Sequence, residues 1–313
     1  MTGANGFVGK SLCVELHRQG QTVRAVTRSA NLQVENIETL SVCSIDGETD
    51  WTPALPGVNV VIHLAARVHV MKDTAIDALA EFRRVNVEGT LNLAQQAVDA
   101  GVQRFLFISS IKVNGEGTFL GQPYTAEDQP APVDPYGISK REAEDALRKL
   151  ASETGMEVVV IRPPLIYGPG VKANFQSMMH WLDKGIPLPL GAIHNQRSLV
   201  ALDNLIDLIV MCIHHPAAAN QIFLAGDGED LSTPELLKRM AAALGKKARL
   251  MPVPALLLEW GARLFGKQAM ARRLCGSLQV DISKTCDLLD WKPPLSVDEE
   301  LRKTAQYHMK LHK

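Results

Sequence analysis

Thr2-Gly3-Ala4-Asn5-Gly6-Phe7-Val8-Gly9 opens the chain, a glycine-rich turn running into a helical pattern that lasts to about Gln19. Glycines spaced Gly3-x-x-Gly6-x-x-Gly9 let the backbone turn tightly, approach a pyrophosphate and pack the next helix against a sheet. Amides at the helix start then attract phosphate charge, which makes Gly3, Asn5, Gly6, Phe7, Val8 and Gly9 candidate dinucleotide contacts. An incidental glycine-rich turn has the same spacing, so the motif gains weight only from its surroundings. Such a turn normally follows the central strand of its sheet. Only Met1 precedes it here, and the expectation is an apolar strand upstream, whose absence lowers stability.

Outward from this turn, helical patterns end at glycine four times. The first runs from about Phe7 to Gly20 and leads into Thr22–Val26. The second runs from about Phe82 to Ala100 and, through Gly101, leads into Phe105–Ile108. The third follows Tyr136, stops at Gly155 and leads into Val158–Ile161. Gly245 closes the fourth, with a weaker continuation from Ala248 to Met251. Glycine suits the left-handed residue after a helix because it lacks a Cβ. Near-continuous apolar strands such as Val58–Leu64 suit a parallel sheet covered on both faces. The expectation is a doubly wound α/β fold of Rossmann type, with a dinucleotide-binding domain over 1–168. After about residue 168, prolines punctuate shorter elements. This predicts a smaller substrate lobe over 169–313, interleaved with the last strands.

Composition narrows the class. The chain has 313 residues, 46% apolar and 21% charged, with a net charge of −1 and no basic run. That argues against nucleic acid as a partner. Five cysteines without a CxxC pair read as reduced thiols of a cytoplasmic protein and make a metal site an unfavoured reading. The apolar stretch at Leu256–Leu258 is broken by Glu259 and Arg263, short of the roughly 20 residues a membrane span needs.

Two constellations carry chemistry. At the end of the second strand, where an acidic residue would hold a ribose diol, the chain has Thr27-Arg28-Ser29. Arg28 suits a 2′-phosphate, as in NADP, or is a plain surface arginine. Further on, Tyr136 and Lys140 lie one helical turn apart on one face. A tyrosine titrates near 10 and needs help as a base at neutral pH; a lysine charge beside it lowers that value. Ser109-Ser110, ending the Phe105–Ile108 strand, supplies a hydroxyl for a substrate oxygen. This trio moves a proton on and off an alcohol while a nicotinamide exchanges hydride.

Over nearly its whole length the chain resembles the extended short-chain dehydrogenase/reductases acting on nucleotide sugars, the UDP-glucose 4-epimerase-like group of the NAD-dependent epimerase/dehydratase family. Thr2–Gly9, His63-Leu64-Ala65-Ala66, Asn86-Val87-Glu88-Gly89-Thr90, Ser109-Ser110, Tyr136/Lys140 and Arg162–Gly170 carry the resemblance. So do Arg197–Asp203, Asp281–Lys284 and Leu289–Pro293. It implies bound NAD or NADP contacted also by Ala65, Ala66, Asn86, Ser109, Tyr136, Lys140 and Pro163. It further implies Ser110, Tyr136 and Lys140 as catalytic residues. Asn174 and Arg197 hold the substrate's diphosphate, with Ser110 and Lys112 nearby. A UDP-sugar is the implied partner; a homodimer is left open. His63 reads as a core histidine and His214-His215 as a helix end.

Departures narrow the activity. Ile111 and Lys112 stand where the related 4,6-dehydratases place acidic residues, and the cysteine of GDP-fucose synthase-type enzymes is absent. Leu165 replaces a common substrate asparagine, and Cys43-Ser44-Ile45-Asp46 gives no clean adenine-contact motif. The leading expectation is a UDP-hexose 4-epimerase; the alternative is an NADPH-dependent 4-ketoreductase, which Arg28 favours. A non-catalytic dinucleotide-binding protein is the third reading, opposed by the retained Ser110, Tyr136 and Lys140.

Overall fold

A computed structural model describes residues 1–28, 37–68, 77–264, 266 and 268–311. Its strands are β1 (Arg24–Thr27), β2 (Glu38–Ser41), β3 (Val60–His63), β4 (Arg104–Ile108), β5 (Glu157–Arg162), β6 (Leu165–Tyr167), β7 (Arg197–Ala201), β8 (Ile222–Leu224) and β9 (Asp230–Leu231). Its helices are α1 (Phe7–Arg18), α2 (Ala78–Arg83), α3 (Gly89–Asp99), α4 (Pro135–Thr154), α5 (Ala173–Asp183) and α6 (Leu202–His214). They continue with α7 (Thr233–Ala243), α8 (Ala255–Leu264), α9 (Gln268–Cys275), α10 (Ser283–Leu289) and α11 (Val297–Leu311).

The strands β3, β4, β5 and β8 form one parallel sheet, and β1 pairs β2 in parallel beside it. Thr2 links the two, bridging Val26 on one side and His63 on the other. The order is therefore β2-β1-(Thr2)-β3-β4-β5-β8, all parallel, a doubly wound α/β sheet of Rossmann type. Its helices cover both faces. On one, Leu12 and Leu16 of α1 and Leu205, Leu208 and Ile209 of α6 pack on Ile62, Leu106 and Val159. On the other, Leu93 and Ala97 of α3 and Ala143 and Leu147 of α4 pack on Val61, Phe105 and Val158. Adjacent strand residues feed opposite cores, which is why these strands read as unbroken apolar runs.

A cavity of about 1080 Å³ runs between the edges of β1 and β3, lined by Met1, Val23, Val26, Trp51, Val60 and Ile62 among others. The Met1 amino group donates to Arg24 O at 2.7 Å and Val26 N donates to Met1 O at 2.8 Å.

Glycines 20, 101, 155 and 245 all have positive φ after their helices. Two expectations need correction. The pattern from Phe82 to Ala100 is not one helix: α2 and α3 are joined by a π-helical turn over Arg84–Glu88. The residues after Gly245 form no described strand beyond single bridges, Leu188 with Leu250 and Ala192 with Pro254. A third core gathers Phe175, Met179, Leu182, Leu199, Leu237, Met240 and Leu301 from α5, β7, α7 and α11. A three-stranded sheet, β6-β7-β9, borders it.

Candidate active site

Gly3 adopts φ +68°, and Gly6 N donates to its carbonyl at 2.9 Å. A β-carbon on Gly3 would come within 2.8 Å of the Ala65 amide nitrogen, so the turn lies directly on the backbone leaving β3. On Gly9 it would strike the Gly3 carbonyl oxygen and lie 2.8 Å from Ala4 Cα. Gly6 caps α1 without a side-chain acceptor, and the first turn holds no acidic residue. The leading amides of α1 are thus left to an outside acceptor, and the helix dipole favours an anion there. Phe7 and Val8 pack inward while Asn5 is exposed. A pyrophosphate fits this cradle, with half-buried Ala65 and Ala66 beside it.

His63 ties the cradle to the rest of the site. The Ala65 amide donates to Thr2 Oγ1 at 3.3 Å, and Thr2 Oγ1 lies 2.7 Å from His63 Nδ1. On the ring's other side, Nε2 lies 3.0 Å from Thr90 Oγ1, which donates to Asn86 O at 2.7 Å. These donors assign a neutral ring protonated at Nε2. Burial, with Lys140 and the amino terminus adding, lowers His63 to about 3, in keeping with that tautomer. It is a core histidine, as its sequence position suggests.

Asn86 sits in the π turn, buried, where the extra residue per turn aims it inward. Its Nδ2 donates to Ser139 Oγ at 2.9 Å and to Arg67 O at 3.0 Å, and its Oδ1 accepts from Arg67 N at 2.8 Å. Ser139 in turn donates to Tyr136 O at 2.8 Å. Asn86 therefore fixes both the loop after β3 and the first turn of α4.

That first turn carries the acid–base pair. Asp134 caps α4, accepting from Gly137 N at 2.6 Å, with Pro135 as the next residue. The Tyr136 phenol is pushed up to about 12 by burial and by the Asp134 charge, while a hydrogen bond from Ser110 works the other way. Lys140 is buried, with Nζ 2.7 Å from Ile108 O and 4.2 Å above the Phe107 ring. Burial lowers it to about 7, partly offset by Glu144. The expected depression of Tyr136 by Lys140 is therefore not seen: the ammonium is aimed at the end of β4. Burial thus works against the charged form of both groups.

Ser110 follows β4 and caps the short turn Ile111–Val113, its Oγ accepting from Lys112 N at 3.3 Å. Ser109 is different: its hydroxyl donates to Glu144, which pairs with Arg162 at 2.5 Å, both side chains 1% exposed. Ser109 is thus bound into the network beneath α4 rather than free for a cofactor, because successive residues leaving a strand point to opposite sides. Lys112, expected at the substrate, is the counter-ion of Asp134 and lies 3.3 Å from Glu116. Pro163 is buried, and its carbonyl accepts from Ile111 N at 3.0 Å.

Arg28 is exposed just after β1, at the edge of the sheet where β3 and β4 also end; Ser29 lies outside the described residues. The Cys43–Asp46 segment packs on α3, where Asn92 Nδ2 donates to Asp46 O at 3.1 Å. Asn174 is exposed in the first turn of α5. Arg197 opens β7 and donates to Gly276 O at 3.0 Å; burial and the nearby Arg273 charge lower its pKa. Arg273, which sequence reasoning missed, thus joins Arg197 as a second cation at one place. The adjacent Arg272-Arg273 pair was the only signal. Also missed were Glu144, Arg162 and Asn114, whose Oδ1 accepts from Arg162 at 3.0 Å. They hold the floor under Ser110 and Tyr136. Among the described residues no cluster of His, Cys, Asp or Glu suits a metal.

Three relatives frame this geometry. The chain is 50% identical over 308 residues to a UDP-glucose 4-epimerase of Vibrio cholerae, covering 98% of this chain and 94% of the relative. It is 26% identical over 326 residues to the N-acetyl-α-D-glucosaminyl-diphospho-ditrans,octacis-undecaprenol 4-epimerase of Escherichia coli O157:H7, covering 98% and 94%. The crystal structure of UDP-glucose 4-epimerase with UDP-glucose from Thermotoga maritima superposes with a TM-score of 0.78 at 23% identity, over 100% of this chain and 98% of that one. Residues 1–226 match the model of the NAD dependent epimerase/dehydratase family, and the chain belongs to that family.

Proposed function

We propose that the protein is a UDP-hexose 4-epimerase that holds a nicotinamide dinucleotide. The observation that carries this reading is the meeting of Tyr136 and buried Lys140 on α4 with the end of β4 that bears Ser110, on the same sheet edge as an uncapped glycine turn. Half identity to the Vibrio cholerae enzyme over the whole chain supports it. The dinucleotide is to be held by Gly3, Asn5, Gly6, Phe7, Val8, Gly9, Ala65, Ala66 and Lys140, and it supplies hydride acceptance and return. Tyr136 takes the proton of the sugar's C4 hydroxyl and gives it back, while Ser110 holds that oxygen and relays charge to the phenol. Lys140, lowered to about 7 by burial, would be favoured in its charged form by the acceptor oxygens of a bound ribose. Asn86 keeps Tyr136 in place through Ser139.

Arg197, Arg273 and Asn174 take the substrate's diphosphate; arginine forks match phosphate oxygens. The diphosphate is the shared element of the two epimerase relatives, one named for a uridine carrier and the other for a polyprenol carrier. In this reading residues 1–168 serve the dinucleotide and 169–313 mainly the sugar. Five free cysteines suit a cytoplasmic setting.

The second reading, an NADPH-dependent 4-ketoreductase, rests on Arg28. One charge-assisted contact to a 2′-phosphate is worth about 1.5–3 kcal/mol, or roughly 10- to 150-fold in affinity. Titration of wild type and Arg28→Asp with NAD(H) and NADP(H), beside assay of the purified protein on UDP-hexoses, separates the two. C4 inversion without added cofactor and a preference for NAD(H) establishes the epimerase. NADPH preference that Arg28→Asp reverses, with no inversion of any UDP-hexose, overturns it.

A further inference from the structure

Helix α8 has no buried residue. Leu256, Leu257, Trp260 and Leu264 are 79%, 61%, 66% and 67% exposed. At 3.6 residues per turn these four share one stripe, since positions 256, 260 and 264 stack and 257 lies one turn before 260. Leu258, on the opposite side, packs partly against the core formed by α5, α7 and α11. The helix is thus anchored by one face and turns its larger apolar face to solvent. Arg263 falls beside the stripe on the helical wheel, and the exposed Arg272 and Arg273 follow on α9, which packs against α8. Residues 251–276 hold Arg263, Lys267, Arg272 and Arg273 against the single acid Glu259, in a chain whose net charge is −1. Arg273 of this same unit reaches the Arg197 charge.

A stripe of leucines with a tryptophan, edged by arginines, matches a helix that lies in a bilayer interface. Its positive excess complements an anionic headgroup layer. Among the described residues no helix is long and apolar enough to cross a membrane, so the contact is peripheral. We propose that α8 and α9 dock the protein on an anionic lipid surface, which places the Arg197–Arg273 diphosphate subsite beside the bilayer. Resting on the diphosphate-sugar reading above, this extends the substrate class to a sugar diphosphate borne on a membrane lipid.

The test is co-sedimentation of the full chain with vesicles of phosphatidylcholine and phosphatidylglycerol, and with phosphatidylcholine alone. Wild type is expected on the anionic vesicles, released by salt, and only weakly on the neutral ones. Leu257→Gln with Trp260→Gln lowers that binding about tenfold or more, with melting temperature and turnover of soluble UDP-hexose unchanged. Loss of binding in this variant supports the docking surface whether or not UDP-hexose is turned over, so the two readings fail separately. Wild type that binds no vesicle overturns the proposal. So does binding that the double substitution leaves intact. Self-association abolished by the same substitutions, without vesicle binding, assigns the face to a second copy of the chain and also overturns it.

Discussion

Tyr136 and Lys140 titrate away from each other, the phenol up to about 12 and the ammonium down to about 7. Both shifts have burial as their largest cause, so each group resists charge until a partner arrives. A cationic nicotinamide ring would stabilise the tyrosinate, and ribose hydroxyls would solvate Lys140. A bound cofactor would thereby ready the pair for proton transfer. Removing the transferable proton while keeping the ring tests this. Tyr136→Phe is expected to cut turnover by roughly 10²–10⁴-fold with dinucleotide affinity kept. Near-normal turnover in that variant assigns the proton to another group. The i,i+4 spacing made this pair legible in the sequence, because helix geometry alone puts both on one face. The direction of their pKa shifts was not legible, since it depends on how deeply α4 presses onto Phe107 and the Ile108 carbonyl.

Among the elements, the helix-and-glycine rhythm exposed the parallel sheet, and adjacent strand residues feeding opposite cores explain why. Three features stayed hidden. The π turn at Arg84–Glu88 needs one extra residue per turn, which periodicity over nineteen positions blurs into a single helix. Ser109 reads as a cofactor contact in the sequence, yet Glu144 claims its hydroxyl. Lys112 shares its neighbourhood with the substrate candidates but is claimed by the α4 cap, an ion pair between positions 22 residues apart. That pairing has a consequence: Lys112 shields Tyr136 from the Asp134 charge that raises its pKa. Lys112→Gln leaves Asp134 unneutralised, so the phenol holds its proton to higher pH. Because Tyr136 must lose its proton to act as the base, the acidic limb of the pH–rate profile is expected to move to higher pH, with KM for UDP-hexose little changed. A profile that stays in place, with a raised KM, returns Lys112 to the substrate.

In the whole molecule, among the described residues the two parts of the sheet are joined at its centre through Met1 and Thr2, beside a large cavity. The Met1 amino group is buried, donates to Arg24 O and is lowered to about 6 by that burial. An apolar extension ahead of Met1 that pairs with β1 and β3 should fill this space. Each fully buried Val, Leu or Ile brings about 1.5–3 kcal/mol, and each kcal/mol raises the melting temperature of a domain near this size by about 2–4 °C. An extension of valine and isoleucine should therefore melt well above one of serine and glycine; equal melting points refute the strand-slot reading. A second strain lies where α11 meets the start of α6. Glu300 is fully buried, with Lys303 3.9 Å from its carboxylate, and Lys303 and the Asp203 backbone only partly offset the cost of that burial. Burial and the charges of Asp203 and Asp227 raise it from 4.5 to about 7. Because its folded value is raised, the native state binds the proton more tightly than the unfolded chain. Its contribution to stability is complete below about 4.5 and is lost as pH rises towards 7. The loss is on the order of 3 kcal/mol for a shift of this size. His63, lowered to about 3, works in the opposite sense over part of this window, so a single melting curve mixes the two. The difference between wild type and Glu300→Gln isolates one of them. At pH 8 the variant should melt higher than wild type, and the gap should close as pH falls to 5. A gap that is constant with pH would show that Glu300 keeps its ordinary carboxylate pKa.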